Sequence, residues 1–176
     1  EGDIQDDNAT DILLVNGTPV VSDHIVTGQT ADGRSDGRPR GILHLDYNGR
    51  DLFLPWRKPS ADPSVLGTPL VEQIRVSGLG GDDILEFRTG SGVDNGGQPV
   101  EKLDVTDLIA RSDDYVGVLD GGPGKDLLLG SEARDRLDGG SGSDVIYGFG
   151  GDDRLWGNSA TTGTPNPNDF DVIFGG

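Results

Sequence analysis

Four nine-residue blocks run in unbroken tandem from Gly121 to Trp156: GGPGKDLLL, GSEARDRLD, GGSGSDVIY and GFGGDDRLW. Aspartate holds the sixth place of each (Asp126, Asp135, Asp144, Asp153), and Leu or Ile holds the eighth (Leu128, Leu137, Ile146, Leu155). A fixed short period restricts the fold more than any composition does, because every block must be the same structural unit, stacked on its neighbours. Glycines at places one, two and four let the chain turn tightly with its carbonyls converging. The last three places suit a short strand, on which place eight points opposite to places seven and nine. Place eight is uniformly aliphatic and belongs inside. Place seven varies (Leu127, Arg136, Val145, Arg154) and belongs outside.

The rest of the composition sharpens this reading. The chain has 176 residues, a formal charge of −17 and only 32% hydrophobic residues. Nucleic acid and anionic membranes need clustered Lys and Arg, so the charge balance argues against both as partners and for cations. No apolar run approaches a membrane span. The absence of Cys excludes a disulfide framework and a thiolate metal site. Ordering nine glycine-rich residues costs more backbone entropy than one buried aliphatic side chain returns, so the array needs a further source of stability. Stacked aspartates repel each other, and a cation between them removes that repulsion while binding only the folded turn.

Other segments read as strands and turns. Ile12 to Val15, Asn16-Gly17 and the following TPVV predict a hairpin; GILHLDY, Asn48-Gly49 and RDLFLPW predict a second. In the second, Leu43, Leu45 and Tyr47 share one face, and Ile42, His44 and Asp46 the other. Residues 28–41 read as a loop, and LVEQIRVS, KLDVTDLI and YVGVL as strands. GLGGDDILE (Gly78 to Glu86) repeats the frame of GFGGDDRLW, with Asp83 at place six and no partner at the expected spacing. After Trp156, two more nonapeptide lengths follow, with Thr162 at the first aspartate place and Asp171 at the second. Gly175 and Gly176 read as the opening of another repeat, so the sequence is expected to be part of a longer protein.

GGPGKDLLL and GGSGSDVIY resemble the RTX (hemolysin-type) calcium-binding repeat, strongly over 121–156 and more weakly over 78–86 and 157–176. The resemblance implies a right-handed parallel β-roll in which each block makes half a coil and stacks on the block 18 residues away. It pairs Asp126 with Asp144, Asp135 with Asp153, and Asp153 with Asp171. It implies Ca2+ between stacked turns, held by paired aspartates and by carbonyls near Gly122, Gly124, Gly140 and Gly142. Asp83 is a further candidate ligand. Ser131 and Ala133 depart from the pattern, which bears on the Asp135 site. Export, and a secreted or cell-surface location, are implied in the same way.

Nothing in the chain points to a reaction. His24 and His44 are the only histidines, no G-x-S-x-G elbow is present, and His44 reads as a solvated face residue. Adjacent acids such as Asp82-Asp83 and Asp152-Asp153 point in different directions on a turn and do not form a glycosidase pair. Tyr47, Phe53 and Trp56 read as a small β core, with a glycan platform as the other option. Arg134, Arg136 and Arg154 read as offsets to acidic neighbours. The expectation is an all-β protein: a hairpin-rich β module over 1–77, open to continuity with the solenoid, and a calcium-binding β-roll over 78–176. Its function would be calcium-dependent folding of a larger exported protein, without catalysis. The alternatives are an accessory domain of a secreted hydrolase or polysaccharide-modifying enzyme, and a carbohydrate-binding adhesin segment. A protein or glycan partner is left open.

Overall fold

The computed structural model describes residues 12–31, 33, 35–37, 41–54, 71–103, 115–158 and 168–176. Short strands alternate between two sheets. β1 (Ile12–Asn16), β5 (Gln73–Ser77), β9 (Gly117–Pro123), β11 (Asp135–Ser141) and β13 (Arg154–Asn158) form the first sheet in that order, every pair parallel. The second sheet holds β2 (His24–Thr30), β6 (Ile84–Phe87), β10 (Leu127–Leu129), β12 (Val145–Tyr147) and β14 (Val172–Phe174), again in parallel. The chain therefore crosses from one sheet to the other and back, adding one strand to each per circuit. This is an all-β architecture of parallel sheets, as a roll of nonapeptide repeats requires.

The core is two facing columns of aliphatic side chains. Val15, Val76, Leu119, Leu137 and Leu155 share one register position across the first sheet. Ile25, Leu85, Leu128, Ile146 and Ile173 share one across the second. Leu85, Leu119, Leu128, Leu137 and Ile146 are all 0% exposed, so place eight points inward as its uniformity predicts. Place nine of the second sheet stacks between coils, with the Tyr147 and Phe174 rings 4.5 Å apart and 9° from parallel. On the outer face of the first sheet, Arg136 lies over Trp156 and Arg154 over Tyr115. Arg134 also lies over Tyr115, so these arginines contact rings as well as acidic surroundings.

Excursions leave the roll without disturbing it. After β2 the chain makes a hairpin, β3 (Leu43–Tyr47) and β4 (Arg50–Leu54), which extends the second sheet in antiparallel fashion. Asn48 and Gly49 have φ of 51° and 75°, the left-handed pair that a two-residue hairpin turn needs. Two small strands, β7 (Gly92–Val93) and β8 (Pro99–Glu101), follow β6, and β8 pairs with β2.

Three expectations need correction. The hairpin at Asn16-Gly17 does not form: β1 pairs in parallel with β5, and residues 17–23 turn into β2. The Gly17 amide donates to Ser77 O at 2.7 Å, so contact with the next coil overrides the local turn signal. Second, the expected loop over 28–41 begins later, because β2 runs to Thr30. Third, His44 is not solvated. It is 0% exposed, and its Nε2 lies 2.7 Å from Asp51 Oδ1 beneath the Phe53 ring. Trp56, Thr162 and most of KLDVTDLI lie outside the described residues.

Leu79 sits at the second place of its turn with φ of 71°, a conformation that costs a non-glycine residue about 1–2 kcal/mol. Its side chain is exposed and contributes no core packing. Leu79→Gly is expected to stabilise the fold by roughly 0.5–1 kcal/mol, once the greater unfolded-state freedom of glycine is deducted. A rise in the urea midpoint checks this. Gly124→Ala is expected to lower it, because φ is 154° there and a Cβ would strike Gly81 O.

Candidate metal centre

The turns from the first sheet to the second lie on top of one another along one edge of the roll. They are tied by a ladder in which each aspartate amide donates to the carboxylate of the next rung. Asp23 N reaches Asp83 Oδ1 at 2.7 Å and Asp83 N reaches Asp126 Oδ1 at 2.8 Å. Asp126 N reaches Asp144 Oδ1 at 2.9 Å, and Asp144 N reaches Asp171 Oδ1 at 3.1 Å. The opposite edge is shorter: Gly117 N donates to Asp135 Oδ1 at 3.0 Å and Asp135 N to Asp153 Oδ1 at 2.9 Å.

This arrangement stacks Asp126 with Asp144, and Asp135 with Asp153, each 18 residues apart. Asp171 stacks on Asp144, 27 residues away, and not on Asp153. The chain between Asp144 and Asp171 is nine residues longer than the 18-residue spacing, so counting by 18 assigns Asp171 to the wrong edge. Asp83 has neighbours on both sides, 60 and 43 residues away, hidden from a fixed spacing by the excursions. Asp23 lies outside the nonapeptide frame because its turn has seven residues from Gly17, where the turns of Asp83, Asp126 and Asp144 have six. The usable signal was a glycine and an aspartate flanking a turn between two apolar runs.

The second carboxylate oxygens carry the chemistry. Oδ2 of Asp83, Asp126, Asp144 and Asp153 is buried and has no hydrogen-bond donor. A buried charged oxygen left unpaired is costly, so four in repeated positions require a partner the protein does not supply. The space for that partner is kept by the first glycine of each turn. A Cβ on Gly78, Gly121 or Gly139 would collide with Oδ2 of Asp83, Asp126 or Asp144. That same Cβ would lie 2.6 Å from the carbonyl of Gly121, Gly139 or Gly157 in the next rung. The Gly122 and Gly124 carbonyls likewise press on Gly140 and Gly142 of the rung beyond. Carboxylate and carbonyl oxygens with no nitrogen or sulfur form the donor set of a hard divalent cation. Among the described residues no three His, Cys, Asp or Glu side chains stand together as a metal site.

The electrostatics agree. Burial, with the charges of Asp144, Asp83 and Asp82, pushes the Asp126 carboxyl up to about 7 despite the Asp83 amide. Burial, with Asp171, Asp169 and Asp138, pushes Asp144 up to about 6. Burial likewise raises Asp83 and Asp153, and raises Asp135 to about 7. Asp23 differs. Burial acts upward on it too, but hydrogen bonds from Asn48, Thr18 and Tyr47 outweigh that and lower it.

A raised carboxyl binds a proton in the folded state at pH values where the unfolded chain, near 3.8, has lost it. In calcium-free buffer, stability is therefore expected to fall as pH rises from about 4 to about 7, the window between those values. Urea midpoints at pH 5 and pH 7.5 measure this, with the higher midpoint at pH 5. With calcium present the order is expected to reverse, because cation and proton compete for the same oxygens.

Among the described residues no helix is long and apolar enough to cross a membrane. No curated protein and no solved structure matches the chain. Residues 129–160 match the family model described as the RTX calcium-binding nonapeptide repeat (4 copies), and calcium is the ligand that this similarity supports.

Proposed function

We propose that the chain is a structural module in which Ca2+ completes and stiffens a right-handed β-roll, and that the roll begins at β1. The parallel pairing of β1 with β5 and β2 with β6 supports that start, and the strong preference of parallel crossovers supports the hand. The single observation behind the calcium role is the row of buried, donorless Oδ2 atoms on Asp83, Asp126 and Asp144, each facing a carbonyl of the next rung. These three aspartates, with carbonyls of Gly121, Gly139 and Gly157 and those of Gly122 and Gly124, are the ligands this reading assigns. Asp171 closes the third gap through its bond from the Asp144 amide. Asp153 offers a further donorless oxygen on the opposite edge.

Calcium supplies the positive charge that the gaps lack; the protein's own part is to hold the oxygens in place and exclude side chains from the gap. Calcium modules outside cells bind at about 10⁻⁴–10⁻³ M, far above cytosolic levels, so the roll would complete itself only after export. We therefore place it in a secreted or cell-surface protein. The repeat array has a structural role and no reaction is assigned to it.

Circular dichroism tests this reading. Chelation is expected to remove a large part of the β signal, and calcium to restore it; a spectrum indifferent to both contradicts the proposal. Asp144→Asn is expected to weaken calcium binding by tenfold or more in calorimetric titration. Glu132→Gln, at an exposed position on a neighbouring turn, is expected to leave it unchanged.

A further inference from the structure

We infer that two gaps of the roll are closed to calcium, because hydrogen-bond donors of the protein occupy the place of the cation: Ser131 at Asp135, and Thr18 with Asn48 at Asp23. This rests on the calcium reading above and departs from the repeat family, whose match runs through the Asp135 rung.

The turn at residues 130–135 differs from its neighbours in its backbone. At the second place, Leu79, Gly122, Gly140 and Phe149 have φ of 71°, 95°, 102° and 68°. At the fourth, Gly81, Gly124, Gly142 and Gly151 have φ of 122°, 154°, 132° and 109°. Ser131 and Ala133 hold the corresponding places and neither is left-handed. The altered turn carries the Ser131 amide and hydroxyl to Asp135 Oδ2, at 2.6 and 2.8 Å. The Ala133 amide in turn donates to Ser131 Oγ at 3.1 Å. Asp135 Oδ1 accepts from Gly117 N, so both oxygens have donors, and the carboxylate is 0% exposed. The equivalent oxygens of Asp83, Asp126, Asp144 and Asp153 have none. Donor hydrogens aimed at the oxygen bring positive charge into the gap and compete with a cation for the same carboxylate.

The first rung uses a different device for the same end. Thr18 N donates to Asp23 Oδ2 at 2.5 Å, and Asn48 Nδ2 donates to Asp23 Oδ1 at 2.6 Å. Asn48 Oδ1 accepts from His24 N at 2.7 Å, so one side-chain amide bridges the carboxylate and the adjoining strand. Asn48 is delivered by the turn of the β3–β4 hairpin, which gives that excursion a role at the edge of the roll. Asp23 is 2% exposed and satisfied. These two rungs are thus pinned by the protein itself, as is Asp171 at the end of the ladder, whose oxygens accept from Asp144 N and from Asn158 Nδ2 at 2.8 Å, while the bare oxygens of Asp83, Asp126 and Asp144 wait for metal.

Anomalous scattering from crystals of the full chain grown in calcium tests this directly. Ions are expected beside Asp83, Asp126 and Asp144, and none between residues 130–135 and 148–153 or beside Asp23. An ion in either of those two gaps overturns the inference and leaves the calcium reading standing. Ions in none of the gaps overturns both. Calorimetric counting gives an independent readout. The double variant S131G/A133G restores the glycine pattern and is expected to bind one more calcium per chain than the parent. An unchanged count in a variant that still folds with calcium overturns the role given to Ser131.

Discussion

A carboxylate buried with one oxygen satisfied and the other bare is the constraint around which the molecule is arranged. Oδ1 of Asp83, Asp126, Asp144 and Asp171 accepts an aspartate amide and fixes the stacking distance. Oδ2 is held between a glycine with no side chain and a carbonyl of the next rung. The backbone thus brings negative oxygens together along one line, with nothing in the chain to separate them. A roll is nearly one-dimensional, so this cost recurs at every gap with a bare oxygen and is not diluted by contacts elsewhere. Divalent cations remove it locally, gap by gap, and their binding energy becomes folding energy.

The aliphatic interior supports this edge without being able to replace it. Each coil contributes one residue to each facing column, such as Leu137 and Ile146, and both are fully buried. Ile74, Phe87, Val116 and the hairpin residues Leu43 and Leu45 pack beside these columns. The interior fixes which face of each three-residue strand points inward and so fixes the position of the turns. Excursions between strands are harmless as long as they leave a turn at the right height. This is why 43 residues separate Asp83 from Asp126 while 18 separate Asp126 from Asp144, with the same hydrogen bond in both.

Identical short signals met different fates. Asn48-Gly49 forms the hairpin turn its sequence predicts, because both flanking segments pair with each other. Asn16-Gly17 does not, because β1 has a parallel partner in β5 and the Gly17 amide is used by Ser77. His44 looked like a solvated residue on an alternating strand, yet it is enclosed and bound to Asp51 across the hairpin. A partner distant in sequence decided the first failure, and pairing within the hairpin decided the other two outcomes.

Period and chemistry were set by the sequence alone: glycine turns, an inward aliphatic column, and oxygen ligands for a hard cation all follow from residue type and spacing within nine residues. Those are local properties, and any fold of this chain must respect them. Which aspartates meet was decided only in three dimensions. Asp23 and Asp83 join the ladder, and Asp171 changes edge, because stacking follows spatial height and not residue number. The state of each carboxylate was also a tertiary matter. A bare oxygen at Asp126 and a doubly bonded one at Asp135 differ through backbone torsions at Ser131 and Ala133, which orient donors that a residue list records only as two missing glycines.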